Sequence, residues 1–173
     1  MTITIVAVSV MTFVAAAYLL TDSLKRNRRS KERNRFLQQF QRLGTSYSLA
    51  FSNQELLNGT MIGLDELQQK LLILKKRGRI TALSKLIDAA EVKNCLLEWH
   101  YGTVRSKSKS GSKPERRLEK ISLHLLLNDD SIEEIVFYNH QANPVMEMTS
   151  LANKAKHWEI MLTKMQEPKR QIA

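Results

Sequence analysis

The eighteen consecutive positions 3–20 carry no charged side chain, and seven Lys or Arg residues follow between Lys25 and Arg35. At about 1.5 Å per residue, a helix over this run is roughly 27 Å long, close to the ~30 Å hydrocarbon thickness of a bilayer. The pair of features predicts a membrane-spanning anchor over 1–22. Lys and Arg so near its exit are retained on the cytoplasmic side, so the expected location is the cell membrane, single-pass, with the N-terminus out and the C-terminal domain cytoplasmic. A cleaved export signal and a buried helix are the alternatives. Against the first, Met1-Thr2 offers only the terminal amine ahead of the apolar run, although Ala15-Ala16-Ala17 resembles a cleavage site. No GxxxG pattern argues for pairing of such helices.

The net charge of +10 is concentrated in two places. Positions 22–43 hold eight basic and two acidic residues, a net of +6, and positions 105–117 hold six and one, a net of +5. The remainder therefore sums to −1, an ordinary balance for a globular domain of about 150 residues. Basic residues beside a bilayer are attracted to anionic head groups, about 1 kcal/mol each. The candidate contacts are Lys25, Arg26, Arg28, Arg29, Lys31, Arg33 and Arg35 in the first cluster. The second offers Lys107, Lys109, Lys113, Arg116 and Arg117. Neither run interleaves aromatics for base stacking, so nucleic acid is not the expected partner.

Positions 23–44 read as a basic helical stalk, with Phe36, Leu37, Phe40 and Leu43 forming an apolar stripe on its second half and Gly44 as its stop. A β-domain is expected over 45–166. Tyr47, Leu49 and Phe51 alternate with polar or small residues as in a half-buried strand, and Asn58-Gly59 is a turn dipeptide. Met61, Ile62 and Leu64 suggest a short strand, and 65–69 a polar turn. The run Leu71-Leu72-Ile73-Leu74 suggests a strand covered on both faces. Leu83, Leu86, Ile87 and Ala90 have helical spacing, which predicts a short helical turn within 80–90. Beyond it, 91–103 reads as a strand with Cys95, Leu97 and Trp99 on one face, and 106–113 as a flexible cationic loop. Ile121, Leu123, Leu125 and Leu127 alternate without interruption, and 132–138 pairs back as a hairpin. Leu151, Ala155, Trp158, Leu162 and Met165 step by 4, 3, 4 and 3, the apolar face of a terminal helix with Thr149 or Ser150 as N-cap and Pro168 as stop. Positions 167–173 are expected to fray.

Chemistry-bearing patterns are sparse. The six glycines are scattered singly, and the four histidines, at 100, 124, 140 and 157, show no i, i+4 or Cys/His pairing. No catalytic, cofactor or metal residue is expected, and no small-molecule substrate. Cys95, the only cysteine, lies in an apolar run and reads as a buried structural thiol. Glu133-Glu134 and Asp129-Asp130 are neighbours that point apart in a strand or turn, and His124 reads as solvent-facing.

The phrases Ile62-Gly63-Leu64-Asp65-Glu66, Lys70-Leu71-Leu72-Ile73-Leu74, Phe137-Tyr138 and Ala155-Lys156-His157-Trp158 resemble those of uncharacterised bacterial single-pass membrane proteins whose soluble part is similar to a pleckstrin-homology or GRAM-type β-domain. That resemblance implies a bent antiparallel sheet closed by one C-terminal helix, and no functional residue. The expected fold class is thus α+β: a transmembrane helix, a basic stalk, then an antiparallel β-domain, PH-like, whose barrel is full or incomplete at 80–90. The expected function is a non-enzymatic interaction module presented at the membrane, with a protein partner there. The alternative is an accessory subunit of a larger membrane complex.

Overall fold

The computed structural model describes residues 30–78, 81–104 and 115–166. A first helix, α1, occupies 30–46, and the chain divides after Thr45 into two compact units. In α1 the basic residues Lys31, Arg33 and Arg35 are exposed, while Phe36, Leu37, Phe40 and Leu43 are less so, which reproduces the expected stripe.

The second unit holds seven strands: β1 Asn53–Leu56, β2 Thr60–Asp65, β3 Lys70–Arg77, β4 Thr81–Asp88, β5 Val92–Val104, β6 Glu115–Leu127 and β7 Ile132–Asn139. They form two antiparallel sheets, β1-β2-β3-β4 and β5-β6-β7, followed by helix α2, Met148–Gln166. The strand period of two explains the interior. Ile62 pairs with Ile73, and Leu64 with Leu71 and through it Ile87, which points all five into one core. Ile121, Leu123, Leu125 and Leu127 of β6 meet them from the second sheet, and Ala155, Trp158 and Leu162 of α2 complete the cluster. Each fully buried Leu or Ile contributes roughly 1.5–3 kcal/mol of transfer free energy. Met61, Leu72 and Leu74 project from the other face of β2 and β3 and are buried as well, so this pair of strands is covered on both sides.

Tight connections are chemically legible. Gly59 takes φ 76°, the left-handed conformation that carries no Cβ penalty in glycine, and Leu57 N–H bonds across the turn to Thr60 C=O at 2.8 Å. In β7, Phe137 and Tyr138 are both buried although they are consecutive. A register shift opposite Ile121 and Ser122 supplies the reason: Phe137 is the extra residue of a bulge, which turns both rings inward.

Several expectations are corrected. Among the described residues no helix is long and apolar enough to cross a membrane. The helices present carry charges that lipid does not solvate: Lys31, Glu32, Arg33, Arg35 and Arg42 on α1, and Lys154, Lys156, Glu159 and Lys164 on α2. The fold class with a transmembrane helix, the description as a single-pass membrane protein and the cell-membrane location with the C-terminal domain cytoplasmic are withdrawn on that finding. The segment 1–22 read as the anchor, with 23–29 of the stalk, lies outside the described residues, as do the 105–114 connection and the tail 167–173.

Positions 47–51 are not a strand. Ser48 has a φ of 54°, and Ala50 N–H donates to the Asp65 carboxylate at 2.7 Å, so a side chain takes the bond a sheet partner would have provided. Positions 81–88 are strand β4 where a helical turn was expected. Eight register pairs with β3, from Lys70↔Asp88 to Arg77↔Thr81, outweigh the helical spacing of Leu83, Leu86 and Ile87. The helical tendency survives only as a 3-10 turn, Ala89–Glu91, whose Ala90 N–H is capped by the Asp88 carboxylate at 3.0 Å. Helix α2 likewise begins before its expected caps: Pro144 at φ −59° starts a 3-10 turn, Val145–Glu147, that runs into Met148 and leaves Thr149 and Ser150 inside the first turn.

Candidate functional site

Alternation along three strands builds a polar patch on the outer face of β5-β6-β7. Once Cys95, Leu97, Leu123, Leu125 and Ile135 face the core, their neighbours must face away from it. The register then stacks three rows across the sheet: Leu96↔His124↔Glu134, Glu98↔Ser122↔Val136 and His100↔Lys120↔Asn139. No residue pair in these rows is close in sequence except by the two-residue step along a strand.

The side chains form one connected network. Lys120 Nζ donates to Glu134 Oε1 at 2.6 Å, and the same oxygen lies 3.3 Å from His124 Nε2. Ser122 Oγ is 3.1 Å from that nitrogen. Nε2 thus has two oxygens around it, one of them a carboxylate oxygen. The other ring nitrogen, Nδ1, faces Glu98 Oε1 at 3.5 Å. Glu98 Oε2 lies 3.3 Å from His100 Nε2. The two imidazole rings stand 6.3 Å apart at 37°. Burial pushes Glu134 up, but the Lys120 ammonium, with help from Ser122 and His124, overrides it and holds the carboxyl below its usual range.

A Ser, a His and two Glu side chains invite comparison with a hydrolytic triad. The geometry rejects it: Ser122 has no exposed surface, so its hydroxyl is closed to any substrate, and Nε2 is already committed to Glu134. What the patch offers instead is donor atoms. One oxygen or nitrogen from each of Glu98, His100 and His124 lies within 4.8 Å of the others.

Five of the twelve basic residues expected as contacts lie among the described residues. Lys31, Arg33 and Arg35 are exposed on α1, while Arg116 and Arg117 are exposed on β6 opposite Thr103 and Gly102. Lys25, Arg26, Arg28, Arg29, Lys107, Lys109 and Lys113 lie outside the described residues. Strands β5 and β6 are each 13 residues long and β7 is 8, pairing with β6 only over Lys120↔Asn139 to Leu126↔Ile132. The far end of the β5–β6 hairpin therefore overhangs its sheet, and Tyr101, Thr103, Arg116 and Arg117 are exposed on it.

Residue spacing had a usable signal for the polar patch. Glu98 and His100 are two apart in a segment read as a strand, hence on one face, and the alternation of Leu123 and Leu125 puts His124 outside. A search for helical i, i+4 spacing does not see such a pair. His124 is not simply solvent-facing either, since its side chain is only 23% exposed and its Nε2 contacts Ser122 and Glu134. Cys95 is buried, as its apolar neighbours predict, and burial together with the Glu159 charge pushes its thiol up to about 12. Comparison with protein-family models, with curated proteins and with solved structures finds no match.

Proposed function

We propose that the β-domain is a binding module that docks an acidic protein segment on the overhanging end of the β5–β6 hairpin. The observation that carries this reading is the overhang itself. Among the described residues, Arg116 and Arg117 sit on a stretch of β6 with no third strand beside it, next to the exposed Tyr101, and the sequence between β5 and β6 contains Arg105, Lys107, Lys109 and Lys113. Positions 105–117 of the sequence carry six basic residues against one acidic residue, Glu115, while the Glu119 side chain lies over Gly102 of β5. Such charge complementarity steers encounter and sets specificity more than it sets affinity.

The test is binding of a glutamate-rich peptide to the full chain and to a variant with Lys107, Lys109, Lys113, Arg116 and Arg117 replaced by Ser. Affinity is expected to fall on the order of tenfold or more, and wild-type binding to weaken with added salt, because exposed charges are screened over about 10 Å at 0.1 M. Equal affinity of the two proteins overturns the proposal.

A further inference from the structure

We propose that Glu98, His100 and His124 bind a divalent transition-metal ion, with zinc the best match to the donor set, and that Glu134 positions His124 for it.

Three features of the cluster point to a cation. The first is convergence. Two imidazole nitrogens, His100 Nε2 and His124 Nδ1, face the one Glu98 carboxylate at 3.3 and 3.5 Å. Lys120, the ammonium in the adjoining row, is committed to Glu134 at 2.6 Å.

The second feature is spacing. Donors bonded at about 2.1 Å in a tetrahedron lie about 3.4 Å from one another. Glu98 Oε2 lies 3.3 Å from His100 Nε2 and Glu98 Oε1 lies 3.5 Å from His124 Nδ1, and one donor atom from each of the three residues falls within 4.8 Å of the others, so side-chain rotations bring the set to coordination distance. Two imidazoles and a carboxylate form the donor class that zinc takes, and three protein ligands leave a fourth position for water.

The third is the outer support. His124 Nε2 lies against the Glu134 carboxylate, which in turn holds Lys120. A carboxylate on the far nitrogen of a ligating histidine fixes its tautomer and raises its basicity. The site is also reachable: the side chains of His100, Glu98 and His124 are 44%, 35% and 23% exposed. The inference does not depend on the peptide-docking reading, since metal binding is measured on the chain alone.

The experiment is calorimetric titration of the metal-free full-length chain with zinc chloride, paired with the visible absorption of the cobalt(II)-loaded protein. One equivalent is expected, with a cobalt spectrum of tetrahedral type. His100→Gln and His124→Gln are each expected to weaken zinc binding on the order of tenfold or more. Glu134→Gln, which keeps an oxygen on Nε2 but loses the charge, is expected to weaken it by about 10–100-fold while the cobalt spectrum keeps its form. His157→Gln, on the exposed face of α2, is expected to bind as the wild type does. His100 is the more exposed ligand, so His100→Gln decides the matter if His124→Gln perturbs folding by circular dichroism. Absence of stoichiometric binding by the wild type, or equal binding by His100→Gln and His157→Gln, overturns the proposal.

Discussion

Asp65 shows how a single buried carboxylate organises a neighbourhood. It has no exposed surface, yet it accepts the N–H groups of Gln68 at 2.9 Å and Ala50 at 2.7 Å. The Gln68 bond, then the Ala50 bond, hold its carboxyl below the ordinary value against the opposing effect of burial. A depressed folded pKa means that its stabilisation is complete above the ordinary carboxylate range and is lost as pH falls through the folded value. Asp65→Ala is therefore expected to cost about 1–3 kcal/mol near neutral pH, because two backbone donors lose their acceptor. The same variant should lose less stability than the wild type between about pH 5 and pH 2. Urea unfolding at several pH values checks both, and parallel acid branches would remove Asp65 from this role. Cys95 supplies a second test at this scale. With its thiol pushed up to about 12, almost no thiolate exists at neutral pH. Alkylation in the folded protein is expected to be slower than in urea on the order of 100-fold or more, limited by local opening; comparable rates would show that the thiol is not shielded.

Among the elements, α2 and the β3-β4 pair carry the clearest consequences. Trp158 is 2% exposed and sits in the cluster that joins both sheets. Trp158→Ala is expected to cost about 3–5 kcal/mol in chemical denaturation, and a cost below about 1 kcal/mol would mean that α2 is not part of the folding unit. Glu159 ties the same helix to the edge of the second sheet by accepting the Leu97 N–H at 2.9 Å. At the other edge, Glu133 of β7 pairs with Lys75 of β3 and with Lys85 of β4, so one carboxylate links the sheets. The lysines are one-third or more exposed, which discounts the attraction through solvent screening. Glu133→Ala should cost about 0.5–2 kcal/mol, and the difference from wild type should shrink in high salt; a salt-independent difference would point to packing alone. Element type was readable where one period dominates, as in β6 and α2. It was misread at 81–88, where helical spacing coexists with a free β3 edge, and at 47–51, where alternation is undone by a side-chain cap.

Across the whole molecule, the described residues make one helical unit and one β-rich unit, and no helix among them can span a bilayer. Both proposed binding surfaces lie on the second sheet, whose outer face gathers the Glu98, His100 and His124 donors and whose long hairpin exposes Arg116 and Arg117. A ligand that binds only the folded chain adds stability as RT ln(1 + [L]/Kd), about 2.7 kcal/mol at 100 times Kd. Saturating zinc is thus expected to raise the melting temperature of the wild type by several degrees and that of His124→Gln by far less. An equal shift in both would place the ion elsewhere on the chain.

The amino-acid order alone determined which faces are apolar: the alternation of Ile121 to Leu127, the doubly covered run 71–74 and the Trp158 stripe are local patterns, and burying apolar surface is a local demand on each element. It also determined where charge gathers. Tertiary structure decided pairing and register, because those depend on contacts between distant segments whose strength no local window contains. Placing Leu96 opposite His124, and His124 opposite Glu134, is what assembles a donor set from residues 98, 100 and 124. A slip of one residue would turn His124 into the core and dissolve the cluster, so the site belongs to the sheet and not to any single segment of it.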